Sequence, residues 1–178
     1  AQLEAAAFPS SYIPTTSATV TRNAETCSRS VTLPSGGFTI VIEGVTPASG
    51  SATPTLCAFD SGVDTNGYRL IWNGSLFLLQ VRASGSLDVN INRSLAASTR
   101  FRAAVRIQPG NYGLAVNSSA VTTSASASAP AGVVNERLGG LIAPAAEWNS
   151  HILASNASPT VWRPPVTDAE LVALSTLT

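Results

Sequence analysis

Lysine and methionine are missing from this 178-residue chain, which has one histidine and two cysteines. All ten basic residues are therefore arginine. That pattern reads as codon bias, because selection for forked guanidinium contacts at every site is a weaker explanation. Charged residues make up only 11% and the net charge is zero. There is no basic field to attract nucleic acid, so no nucleic-acid partner is expected. No apolar run approaches the roughly 18–20 residues of a membrane-spanning helix, so no membrane partner is expected. Residues 1–22 also lack the basic and apolar regions of a secretory signal. Cys27 and Cys57 stand in no metal-ligand spacing. They either pair or act as two small buried apolar side chains. A fully disordered chain is excluded, because 44% of the residues are apolar and charge is scarce.

What is present reads as short strands punctuated by turns. Residues 28–33 alternate and stop at Pro34-Ser35-Gly36-Gly37. FTIVIEGV (38–45) puts Phe38, Ile40 and Ile42 on one face. TLCAFD (55–60) follows, and then a polar loop to Gly67. Asn73-Gly74 between YRLIW and SLFLLQV predicts a two-residue hairpin turn of type I′. Residues 87–91 form a short alternating strand. In FRAAVRIQ (101–108), Phe101, Ala103, Val105 and Ile107 point inward, and Arg100, Arg102 and Arg106 form an outward row. YGLAV (112–116) returns, and the low-complexity stretch 118–130 is a surface hairpin or loop. Residues 134–140, 151–155 and 160–162 are final strands. One helix is expected over 167–176. Thr167 and Glu170 make a capping box, and Val166 and Leu171 a hydrophobic staple.

Two resemblances carry more. Gln2, Glu4, Phe8, Ser11, Tyr12, Ile13, Pro14, Thr15, Thr21 and Arg22 resemble the closing strand and exit linker of a carbohydrate-module-like domain in tailed-phage virion proteins. FTIVIEGVTP (38–47), NGYRLIWNGSLFLLQV (66–81), FRAAVRIQPGNYGLAVNSS (101–119) and RLGG…W…I…VWRPPVTDAEL (137–171) resemble the concanavalin A-like lectin/laminin-G jelly roll. Together they imply an all-β, two-sheet antiparallel sandwich over residues 27–178, with one short C-terminal helix. Residues 1–26 become an extended arm from a preceding module. The implied role is a bacteriophage virion protein, a fibre, spike or tail appendage assembled in the bacterial cytoplasm and exposed on the particle. Its lectin-like domain recognises or adheres to a host-surface glycan. The rival role is capsid decoration or cement, or fibre packing, with no ligand. Partners are other virion proteins and copies of itself, with a homotrimer as default.

Fold alone does not assign function. Glycoside hydrolases of this class need paired carboxylates, as in E-x-D-x-x-E, about 5–5.5 Å apart when retaining. Glu43, Glu136, Glu147 and Glu170 stand singly, so no enzyme is expected. Trp72 and Trp162 read as core. Trp148 reads either as core or as the exposed aromatic that a sugar face would stack on, beside Asn149 and His151; the histidine reads first as structural. Asp64 and Asn66 complete this candidate carbohydrate rim. Asp60, Asp64 and Asn66 are weak calcium candidates against ordinary Asx-turn chemistry, and no other cofactor is expected. Tyr12 and Ile13, with Arg100, Arg102 and Arg106, are candidate subunit contacts, since arginine is enriched at interfaces.

Overall fold

A computed structural model describes residues 27–48, 54–139, 152–155 (backbone) and 163–177. The strands are β1 (Cys27–Ser30), β2 (Phe38–Val45), β3 (Thr55–Asp60), β4 (Gly67–Trp72), β5 (Leu76–Ala83), β6 (Ser86–Ser94), β7 (Arg100–Ile107), β8 (Tyr112–Val116), β9 (Thr122–Ser124), β10 (Asn135–Leu138) and β11 (Ile152–Ser155); α1 spans Asp168–Leu174. They form a six-stranded sheet, β1-β10-β3-β4-β5-β6, and a five-stranded sheet, β11-β2-β7-β8-β9, every pairing antiparallel.

Strand alternation builds the core between these sheets. Phe38, Ile40 and Ile42 face Phe101, Ala103, Val105 and Ile107 along β2 and β7, and all enter one cluster. Tyr68, Leu70 and Trp72 supply the opposite sheet with Phe77, Leu79 and Val81. Trp72 is fully buried, and its indole Nε1 donates to the Leu95 carbonyl at 2.8 Å, satisfying its one polar atom. Phe38 meets Phe59 edge to face at 5.5 Å between ring centres.

The β4–β5 connection departs from the expected two-residue turn. Three residues, 73–75, separate the strands, and of Asn73 and Gly74 only Gly74 has positive φ. Asn73 instead accepts through Oδ1 from the Leu76 N–H at 2.9 Å, so its side chain closes the loop as an Asx-turn does.

The outer face of the five-stranded sheet is covered by α1. Leu171 is fully buried against Val41, Ala104 and Ala115, with Val166 and Leu174 alongside. Gly113 makes this approach possible, since a Cβ there would stand 2.9 Å from Leu171 Cδ1. The helix begins as the sequence predicts. The Thr167 hydroxyl accepts from the Glu170 N–H, and the Glu170 carboxylate accepts from the Thr167 N–H at 2.8 Å. These bonds hold the Glu170 carboxyl below its usual range.

Candidate functional site

The outer face of the six-stranded sheet carries the polar side chains that alternate with the core. One cross-strand rung runs through all six strands in register: Ser28, Arg137, Ala58, Arg69, Gln80 and Asn90. Adjacent strands are about 4.8 Å apart, so Arg69, Gln80 and Asn90 present three planar hydrogen-bonding groups at even spacing. Gln80 Nε2 lies 3.4 Å from Asn90 Oδ1. Arg82 stands beside this rung on β5 and pairs across to Gly67. Arg69 is buried, Gln80 and Arg82 are half-buried, and Asn90 and Asn92 are exposed. The accessible part of the face is therefore its β5–β6 margin.

The loop from Asp60 to Gly67 borders that margin. Asp64 pairs with Arg69 through its carboxylate, and its carbonyl accepts from Arg69 at 2.7 Å. Asn66 Oδ1 accepts from the Ser84 N–H at 2.9 Å, and the Gly85 N–H donates to the Thr65 carbonyl at 2.9 Å. The loop is thus tied to the β5–β6 turn. Burial lowers the Arg69 pKa, the facing Asp64 opposes that shift, and nearby Arg82 adds to it.

The expected rim residues Asp64 and Asn66 belong to this margin, where Asp64 holds Arg69, Asn66 holds the Ser84 N–H, and the Asp64 side chain stays 59% exposed. Trp148, Asn149 and His151 lie outside the described residues, as do Tyr12, Ile13, Glu147 and Trp162. The residues that sequence reasoning missed are Arg69, Gln80, Arg82 and Asn90. Period-two alternation in GYRLIW, LFLLQVRA and SLDVNINRS was the signal that places them opposite the core.

The calcium candidates each have partners within the protein. Asp60 pairs with Arg137 at 2.6 Å, accepts from the Gly62 N–H at 2.8 Å and lies 3.3 Å from Asn135 Nδ2. With Asp64 held by Arg69, the two carboxylates are separately neutralised. Among the described residues no group of three His, Cys, Asp or Glu is placed to hold a metal.

The arginine row also differs from a solvated face. It does lie opposite the core, but α1 covers its Arg106 end, while Arg100 stays exposed. Arg106 is 3% exposed and reaches Asp168, the Val166 carbonyl and the carbonyl and side chain of Asn111, all at 2.7–2.8 Å. Arg102 donates to the Leu174 carbonyl at 2.8 Å and to Glu43 at 3.5 Å, and Arg100 pairs with Glu43. Subunit contact through Arg106 is therefore corrected to an internal latch. The cysteines are free, Cys27 exposed and Cys57 buried. Both are in register with Leu138 from opposite sides, which sets them two strands apart. That is about 9.5 Å, beyond disulfide reach.

At one end of the sandwich lies a cleft of about 360 Å³, bounded by Val31, Leu33, Phe38, Tyr68, Ile107 and Val133 among others. Its lining contains no carboxylate, imidazole or thiol, and Tyr68 is its one ionisable side chain.

No protein-family model matches the chain, and no curated protein matches it in sequence. Solved structures do. The carbohydrate-binding module CBM40 of the Ruminococcus gnavus IT-sialidase, bound to α2,3 sialyllactose, matches with a TM-score of 0.62 at 18% identity, over 80% of this chain and 83% of that one. Sheep galectin-11 in complex with glycerol matches with a TM-score of 0.51 at 12% identity, over 76% and 98%. A leech intramolecular trans-sialidase matches with a TM-score of 0.59 at 16% identity, over 80% of this chain and 24% of that one. The fold is a lectin-like jelly roll. At these identities the likeness is one of architecture, and the residues must argue the rest.

Proposed function

We propose that the domain is a non-catalytic carbohydrate-binding module, and that its glycan lies on the β5–β6 margin of the six-stranded sheet. The observation that carries this reading is the in-register pair Gln80 and Asn90, with half-buried Arg82 beside it on β5. Amide and guanidinium groups at one strand spacing suit hydroxyls along a sugar, because each offers a donor or acceptor in a fixed plane. A rigid sheet also holds them without the ordering cost of a loop. The structural relatives support it, since one is a carbohydrate-binding module bound to a sialylated sugar. The described glutamates are all engaged elsewhere: Glu43 by Arg100 and Arg102, Glu136 by Arg29, Glu170 by the helix cap. A glycan array with the purified chain tests the reading. Asn90→Ala and Gln80→Ala should each weaken binding roughly five- to tenfold, as expected for the loss of about one hydrogen bond. Undiminished binding by the folded double variant would move the site elsewhere.

We infer further that the module belongs to a tailed-phage appendage, where it meets a host glycan. This rests on the sequence resemblances of residues 2–22 and 137–171. The expected homotrimer and the arm's attachment to a preceding module belong to the same inference. The rival cement role drew on the arginine row as an interface, and Arg106 is spent internally. Mass spectrometry of purified particles and native mass of the isolated chain test both parts.

A further inference from the structure

The face assigned to the glycan carries one cation with no carboxylate partner among the described residues. Arg69 meets Asp64 and Arg137 meets Asp60. Arg82 meets no carboxylate among the described residues, and its Nε is buried without a hydrogen-bond partner. Asp88, the extra residue of the β6 bulge opposite, forms no ion pair with it. Gly67, its cross-strand neighbour on β4, has no side chain to cover it.

Building on the carbohydrate-binding reading, we propose that the sugar taken here is anionic, with its carboxylate or sulfate seated on Arg82. The part of this half-buried guanidinium that reaches solvent carries a charge that no described carboxylate meets. A neutral hydroxyl supplies one acceptor and no charge. A carboxylate or sulfate supplies two coplanar or near-coplanar oxygens that match the guanidinium fork. Arg69 cannot take this part, since Asp64 already holds it from both its carbonyl and its carboxylate. It contributes field instead. The two guanidiniums are close enough that Arg82 helps depress the Arg69 pKa, and an anion between them relieves that repulsion. Gln80 and Asn90, in register on β5 and β6, then address the hydroxyls of the same ring.

Calorimetry with three probes tests this: lactose, 3′-sialyllactose and 3′-sulfated lactose. The acidic sugars should bind roughly ten- to a hundredfold more tightly than lactose, the range of one charge-assisted contact. The stronger of the two names the acid group. Arg82→Gln should reduce both to the lactose level with an unchanged melting temperature, and Arg82→Lys should recover part of the loss. Equal affinity for lactose overturns the anionic inference and leaves the carbohydrate reading in place. So does a folded Arg82→Gln protein that keeps the preference. Absence of binding to any sugar on a broad array overturns both. If Arg82→Gln fails to fold, the unmodified chain decides. Affinity for the better acidic sugar should fall as salt rises from about 0.05 to about 0.5 M, and a salt-independent affinity overturns the proposal.

Discussion

Arg106 and Asp168 meet at 2.8 Å across the seam between β7 and α1, the guanidinium 3% exposed and the carboxylate 58% exposed. The two ends of this pair are therefore unequal. Removing the arginine strands the Val166 and Asn111 carbonyls that it satisfies, while removing the aspartate charge leaves the buried guanidinium with its neutral acceptors but no counter-charge.

Arg106→Leu should cost roughly 2–3 kcal/mol, from lost charge-assisted bonds at a buried guanidinium and the acceptors it leaves unmet. Asp168→Asn should cost less, about 1–2 kcal/mol, because the guanidinium keeps its three neutral hydrogen bonds and loses only a half-exposed counter-charge. Urea midpoints of the two variants check this, and equal losses would refute the latch.

A thiol reagent should modify the native chain once, at Cys27. Cys57 is fully buried, and burial, aided by the negative charge of Glu136, pushes its thiol well above the usual value. The thiolate that reacts is thus suppressed there. Two rapid modifications, or a Cys27–Cys57 disulfide by peptide mapping, would contradict the strand order.

Alkaline pH should unfold the domain cooperatively. Burial raises the pKa of both Tyr68 and Tyr112, and the Tyr112 hydroxyl also donates to the Ser128 carbonyl. Groups raised in the folded state contribute fully below the unfolded value, about pH 10 for tyrosine. That contribution is lost as pH climbs from there through the folded values. Tyrosinate absorbance and circular dichroism should therefore change together above about pH 10. Free titration of all three tyrosines before any unfolding would show that these two are exposed.

Gly37→Ala should destabilise by about 1–3 kcal/mol. Gly37 holds φ at +89°, and a Cβ there would stand 2.5 Å from the Ile107 carbonyl oxygen. Gly36→Ala, one residue away with open space around its Cβ position, is the control and should differ little. Matching melting temperatures for the two would refute the steric argument.

Much of the fold was written in alternation and punctuation. β2, β3 and β8 begin and end where the apolar pattern and its flanking turns place them, and Thr167 and Glu170 announce α1 by local chemistry alone. The order of strands within each sheet was not legible in this way. Nothing local in CSRS or NERL says that β10 inserts between β1 and β3. That same blindness hid the role of the arginines. Alternation puts Arg69, Arg82 and Arg106 all opposite the core, yet one is held by Asp64, one faces no carboxylate among the described residues and one lies under a helix. Only tertiary placement of residues far along the chain separates them. Asp64 and Asn66 were visible as loop polars. The choice between holding a ligand and holding the loop depended on Arg69 and Ser84 reaching them first.

The insertion of β10 between β1 and β3 also sets an order of events for a growing chain. β3 to β6 form consecutive hairpins, and so do β7 to β9, so each block can zip as it leaves the ribosome. Arg29 and Glu136, however, are 107 positions apart. β1 therefore waits without a neighbour until β10 has been made, and the six-stranded sheet closes last at that edge. Pairings this distant slow folding because the loop must close before the contact rewards it. A ribosome stalled before residue 135 should hold a protease-sensitive β1, and one stalled well past 138 should protect it.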